Sequence, residues 1–142
     1  YQIWDYKTGS TWGYNDRDFC KAGQQIQHLL YSIAAENILG SLPGQGSVKI
    51  DLAGYLFPTD KGEGRIIGRR QNRRNVGLQA VEKILELMAE GVFCSSSADT
   101  YCKYCDYITV CGGSHAVKRQ NAKLENDAND CLNGWKELQN YE

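Results

Sequence analysis

The stretch Ile3-Trp4-Asp5-Tyr6-Lys7-Thr8-Gly9 constrains the rest of the chain most. A strand-like apolar run ends there in an acid, a lysine two residues later and a glycine break. Side chains alternate along an extended strand, so Asp5 and Lys7 project from one face and Tyr6 from the other. A carboxylate and an ammonium side by side at a strand end can hold a divalent cation and a water together. They are equally what a surface ion pair looks like, and two residues alone favour that plainer reading. The segments downstream switch between a period of 3.6 and a period of two, so helices and strands both follow.

Residues 10–18 are polar and predict a loop, with Trp12 and Tyr14 as exposed aromatics or loop anchors. From 19 to 39, Ile26, Leu29, Leu30, Ile33 and Ile38 recur at helical spacing, with Asp18 as N-cap and Gly40 as the stop. Gly23, Gln27 and Tyr31 fall four residues apart, about 40° around a helix axis, and predict one narrow row on that helix. Such a row is either a solvated polar edge with an incidental glycine or a place where a ligand approaches. After a turn at 41–47, residues 48–57 read as one strand, either regular or bulged at Gly54, and ended by Pro58.

A hairpin-like loop at 60–64 leads into residues 65–74, which hold five arginines in a chain of net charge -1. The guanidinium fork suits phosphate, so Arg69, Arg70, Arg73 and Arg74 are candidate nucleic-acid contacts. A solvated basic loop explains them as well. The net charge itself makes no global case for a nucleic-acid partner, so any case rests on this clustering. Leu78, Val81, Ile84, Leu85 and Met88 form a second helical stripe, closed by Gly91.

Beyond a Ser-rich linker at 95–100 comes Cys102-x2-Cys105-x5-Cys111, three of the six cysteines within ten residues. With no secretory leader at the start given, that spacing predicts metal binding rather than disulfides. In the polar tail, Leu124, Ala128, Cys131, Trp135 and Leu138 predict one docked helix, with Cys131 a small buried hydrophobe. His28 points about 100° away from Gln27 and reads as structural or exposed. The 142 residues suit one domain with a real core. No apolar run approaches the roughly 18 residues of a membrane span, and a cytoplasmic location is expected. The glycines of 62–68 lack the Lys-Ser/Thr of a P-loop.

Taken together, Asp5-x-Lys7, Gln27-x3-Tyr31 and the cysteine triplet resemble the RecB-like branch of the PD-(D/E)XK nucleases. Within it they are similar to the AddB-type iron–sulfur nuclease domains of bacterial helicase–nucleases and to CRISPR-associated nucleases with the same cysteine pattern. The resemblance implies an α/β, restriction-endonuclease-like mixed sheet flanked by helices: a nuclease core over 1–93 and a cysteine-bearing helical extension over 94–142. It implies DNA hydrolysis in repair or recombination, a helicase–nuclease partner subunit, and Mg2+ or Mn2+. Asp5 and the Tyr6 carbonyl would be metal ligands, Lys7 would contact the attacking water or the scissile phosphate, and Gln27 and Tyr31 would line the same face. Cys102, Cys105 and Cys111 would supply three ligands of a [4Fe–4S] cluster, with zinc as the replacement if the fourth is missing.

The family site also takes an upstream carboxylate, and its cluster an upstream cysteine. The chain is therefore expected to be an N-terminally truncated, C-terminal fragment, inactive by itself. Its open sheet edge is expected to invite a second copy. The alternatives are a non-catalytic DNA- or partner-binding module stapled by an iron–sulfur or zinc site, and a zinc-binding interaction domain built on Cys94, Cys102, Cys105 and Cys111.

Overall fold

The computed structural model describes residues 1–95 and 98–141, so Ser96 and Ser97 of the Ser-rich linker lie outside the described residues. The chain divides into two compact units, one of residues 1–82 with the segment from Gln139, the other Lys83–Leu138. The division falls inside a long helix.

The first unit is built on a three-stranded sheet in the order β1-β2-β3. Strands β1 (Gln2–Tyr6) and β2 (Leu52–Leu56) are parallel, and β3 (Ile66–Arg70) runs antiparallel to β2. A parallel pair needs a crossover, which helix α1 (Gln27–Gly40) provides. Helix α2 (Arg74–Ala89) begins after β3. This is the α/β mixed sheet with flanking helices that the resemblance implied.

Register explains the burial. Asp5, Tyr55 and Ile67 lie in one row across the sheet, Trp4, Gly54 and Gly68 in the next. The first face carries the core: Ala53, Tyr55, Phe57 and Ile67 are buried, and Tyr14 packs edge-on against Tyr55 and Phe57 at 4.8 and 5.2 Å. Tyr14 is therefore a loop anchor, whereas Trp12 is exposed. On the other face the ladder passes unbroken through Gly54, so of the two alternatives the strand is the regular one and not the bulged one. A Cβ at Gly54 would collide with the Ile67 carbonyl oxygen, and one at Gly68 would meet Trp4 Cη2 at 3.2 Å.

Three expected helical features shift. Helix α1 starts at Gln27, after Ile26, which makes no side-chain cap hydrogen bond, so Asp18 is not its N-cap. Lys21, Ala22 and Gly23 adopt φ of 46°, 51° and 81°, a left-handed turn that breaks any helix through this segment. Gly23 therefore lies outside the row that Gln27 and Tyr31 share. On α2 the buried residues are Gly77, Ala80 and Leu87, while Leu78, Leu85 and Met88 are exposed. A Cβ on Gly77 would stand 2.6 Å from Leu29 Cδ2 and 2.9 Å from Phe19 Cε1, so the helix turns its glycine, not its leucine, to the core.

His28 is buried with both ring nitrogens engaged. Nε2 is 2.7 Å from the Phe19 carbonyl oxygen, and Nδ1 is 3.2 Å from Gln71 Nε2. A carbonyl only accepts, and the Gln71 amide nitrogen donates, so the ring is neutral with its proton on Nε2. Burial pushes its pKa down to about 4.

The second unit holds the rest of α2, a 3₁₀ turn (Asp99–Tyr104), α3 (Ile108–Cys111), α4 (Ser114–Glu125) and α5 (Asn133–Leu138). The single tail helix expected from the apolar row is thus two helices. The turn between them leaves Cys131 exposed, its thiol 2.8 Å from Asn129 Oδ1, and not a buried hydrophobe.

Candidate active site

Strand alternation places Asp5 on the inner face. Lys7 follows just past the end of β1, where its backbone N–H donates to the Leu56 carbonyl at 2.9 Å and keeps the strand course. Lys7 Nζ sits 2.7 Å from Asp5 Oδ2. The contact is ionic and not an aligned hydrogen bond, since Oδ2 is buried and has no hydrogen-bond partner among the described residues. The same ammonium donates to Gln27 Oε1 at 2.7 Å, and Gln27 Nε2 reaches Tyr31 OH at 3.5 Å. The i,i+4 spacing at the start of α1 thus delivers Gln27 and Tyr31 to the strand end that carries Asp5 and Lys7. All four polar residues singled out in the sequence stand in one chain of contacts.

Beneath them lies Tyr55, which pairs with Asp5 across the sheet. Lys7 Nζ stands 5.4 Å from the centroid of its ring and Arg69 Cζ 5.3 Å, both within cation–π range. Burial pushes the Tyr55 phenol up to about 12, so it stays protonated. Sequence reading passed over Tyr55. Its parity in the β2 alternation was the available signal, once β1 and β2 were known to be neighbours.

The arginines separate. Arg69 is 3% exposed; its Nε donates to the Asp18 carbonyl, and its Nη2 to the Asn15 carbonyl and to Gln25 Oε1. Arg74 grips Glu36 with both guanidinium nitrogens, at 2.7 and 2.9 Å. That bidentate hydrogen bonding holds the Glu36 carboxyl below its usual range. Arg70 and Arg73 are exposed. The four therefore do not form one continuous solvent-facing patch.

Cys102 and Cys105 are half-buried and Cys111 is exposed, and all are free thiols. Desolvation raises the Cys102 thiol pKa first, then Asp99, then the nearby Cys105 and Cys111. Among the described residues, no group of three or more His, Cys, Asp or Glu is placed to hold a metal ion.

The family model for the PD-(D/E)XK nuclease superfamily matches residues 1–112. The chain belongs to the PD-(D/E)XK nuclease superfamily, a superfamily whose members generally use Mg2+ or Mn2+. Comparison with curated proteins and with solved structures yields no significant match. Among the described residues no helix is long and apolar enough to cross a membrane.

Proposed function

We propose that this domain hydrolyses DNA phosphodiester bonds with a divalent metal, and that Asp5, Lys7, Gln27 and Tyr31 form its working face. The observation that carries the reading is the contact chain from Asp5 through Lys7 and Gln27 to Tyr31. Asp5 fits a magnesium ligand: Oδ2 is a buried carboxylate oxygen that accepts no hydrogen bond among the described residues, its close contact being the ionic one to Lys7. With the Tyr6 carbonyl it would hold the ion, which supplies Lewis acidity toward the phosphoryl oxygen and toward a bound water. Lys7 places a positive charge where negative charge develops on the phosphate oxygens. Gln27 fixes the ammonium and, with Tyr31, offers polar atoms to orient water.

One carboxylate and one carbonyl are few oxygens for a magnesium cage. The active protein therefore draws a second carboxylate from beyond this contact chain, and the domain by itself cleaves slowly or not at all. The test is cleavage of DNA in Mg2+ and in EDTA by the protein that carries this domain. Magnesium should support cleavage and EDTA abolish it; cleavage that persists in EDTA overturns the reading.

The spacing of Cys102, Cys105 and Cys111 supports the finer reading, an AddB-like, iron–sulfur nuclease of repair or recombination that works with a helicase–nuclease partner subunit. Three thiolates need a fourth ligand to hold a [4Fe–4S] cluster, and zinc is the replacement when it is missing. Anaerobic purification should yield iron and sulfide near the stoichiometry of one cluster; a preparation containing neither sinks the cluster.

A further inference from the structure

In the first unit a cleft of about 240 Å³ opens between residues 16–19 and residues 68–73. That is several times the roughly 30 Å³ that one water occupies in the liquid, so a hydrated tetrahedral anion has room. Arg17, Arg70, Asn72 and Arg73 line it. Arg17 and Arg70 are exposed, and neither has an ion-pair partner among the described residues. Arg69 lines it too, with Nε and Nη2 fully used and Nη1 buried with no hydrogen-bond partner among the described residues. A guanidinium charge held in a protein interior raises the positive potential of the cleft it adjoins.

Two carboxylates, Asp16 and Asp18, also line the cleft. Even without counting Arg73, the guanidiniums of Arg17, Arg69 and Arg70 outnumber the two acids. The local sign is therefore positive in a chain whose total is -1. The arginines that matter are not those a linear count selects: Arg74 is committed to Glu36, and Arg17 comes from another loop.

We infer that this cleft is a phosphate subsite, which takes a backbone phosphate of a nucleic-acid strand away from the bond being cut. Its assignment to a nucleic-acid phosphate rests on the nuclease reading; the anion site itself does not. Arg17 and Arg70 clamp the phosphate from the solvent side and Asn72 adds an amide donor. Arg69, fixed by three acceptors, adds an immobile positive charge behind the cleft.

The test uses this chain without metal. Inorganic phosphate should move the amide resonances of Gly68, Arg70 and Asn72. Arg17→Ala combined with Arg70→Ala should remove the response and leave the remaining spectrum folded. The same double variant should bind a short oligodeoxynucleotide with a salt slope shallower by about 1 for each phosphate it no longer neutralises. An unchanged phosphate response or an unchanged slope in the double variant overturns the subsite. Phosphate binding that needs both arginines, in a chain with no DNA affinity, overturns the nuclease reading and leaves the anion site standing.

Discussion

Replacing Lys7 with alanine is expected to lower magnesium-dependent DNA cleavage by about 10²–10³-fold, the usual cost of removing one preorganised group that stabilises developing charge. The loss should appear in kcat, because the ammonium acts on charge that grows in the transition state. The fold should survive. The backbone N–H of residue 7 still donates to Leu56, and the Lys7–Asp5 pair that the substitution removes is 25% and 19% exposed. Losing the ammonium leaves the buried Asp5 Oδ2 without its ionic contact, at a cost of about 1–3 kcal/mol, less than the stability of an ordinary domain. Cleavage rates for wild type and variant, with a thermal melt of each, check this. A rate that does not change removes Lys7 from the chemistry; a melt that collapses shows that the substitution tested folding.

The second large effect is on stability and comes from His28. Its folded pKa is lowered from 6.5 to about 4, so between those values the unfolded chain binds the extra proton. The stabilisation is therefore fully present above pH 6.5 and is lost as pH falls toward 4. That amounts to about 2 kcal/mol between pH 7 and pH 5, and about 3 kcal/mol by pH 4. Glu36 works in the same direction, but its window lies below the ordinary carboxylate value of 4.5, so it does not blur the upper part of the curve. Urea unfolding at pH 7, 6 and 5 should show the midpoint falling. His28→Gln should be less stable at pH 7 and flatter across the range. A wild-type midpoint that stays constant from 7 to 5 would show that the buried neutral ring carries no such linkage.

The residues that could be read from sequence were those whose placement depends on a local repeat. Asp5 and Lys7 share a side because strands alternate, and Gln27 and Tyr31 share one because four residues only slightly exceed a helical turn. That the two pairs meet is a tertiary fact, supplied by the β1–α1–β2 crossover. The illegible parts depend on distant partners. Residues 19–26 have helical periodicity, yet they form a left-handed turn held by Ala22 N–H to the Tyr141 carbonyl and Gln25 N–H to the Cys20 carbonyl. Arg69 counted as basic surface, but strand parity turns it inward, where two loop carbonyls and a glutamine amide oxygen receive it. The stripe on α2 was displaced because Gly77 allows an approach that a larger residue forbids.

The paired glycines on the back of the sheet carry a consequence for genetics. Gly54 and Gly68 stand opposite one another, with Trp4 in the same row, and neither position has space for a larger residue without moving its neighbours. Asp5 is the next residue after Trp4, so a displacement of the indole is expected to pass through one backbone link to the carboxylate on the reverse side. Inactivating alleles at these glycines would mimic active-site lesions while touching no reacting group. A mutational map of this domain scored by cleavage alone would draw the catalytic centre too large, extending it through the sheet to a face that takes no part in the chemistry.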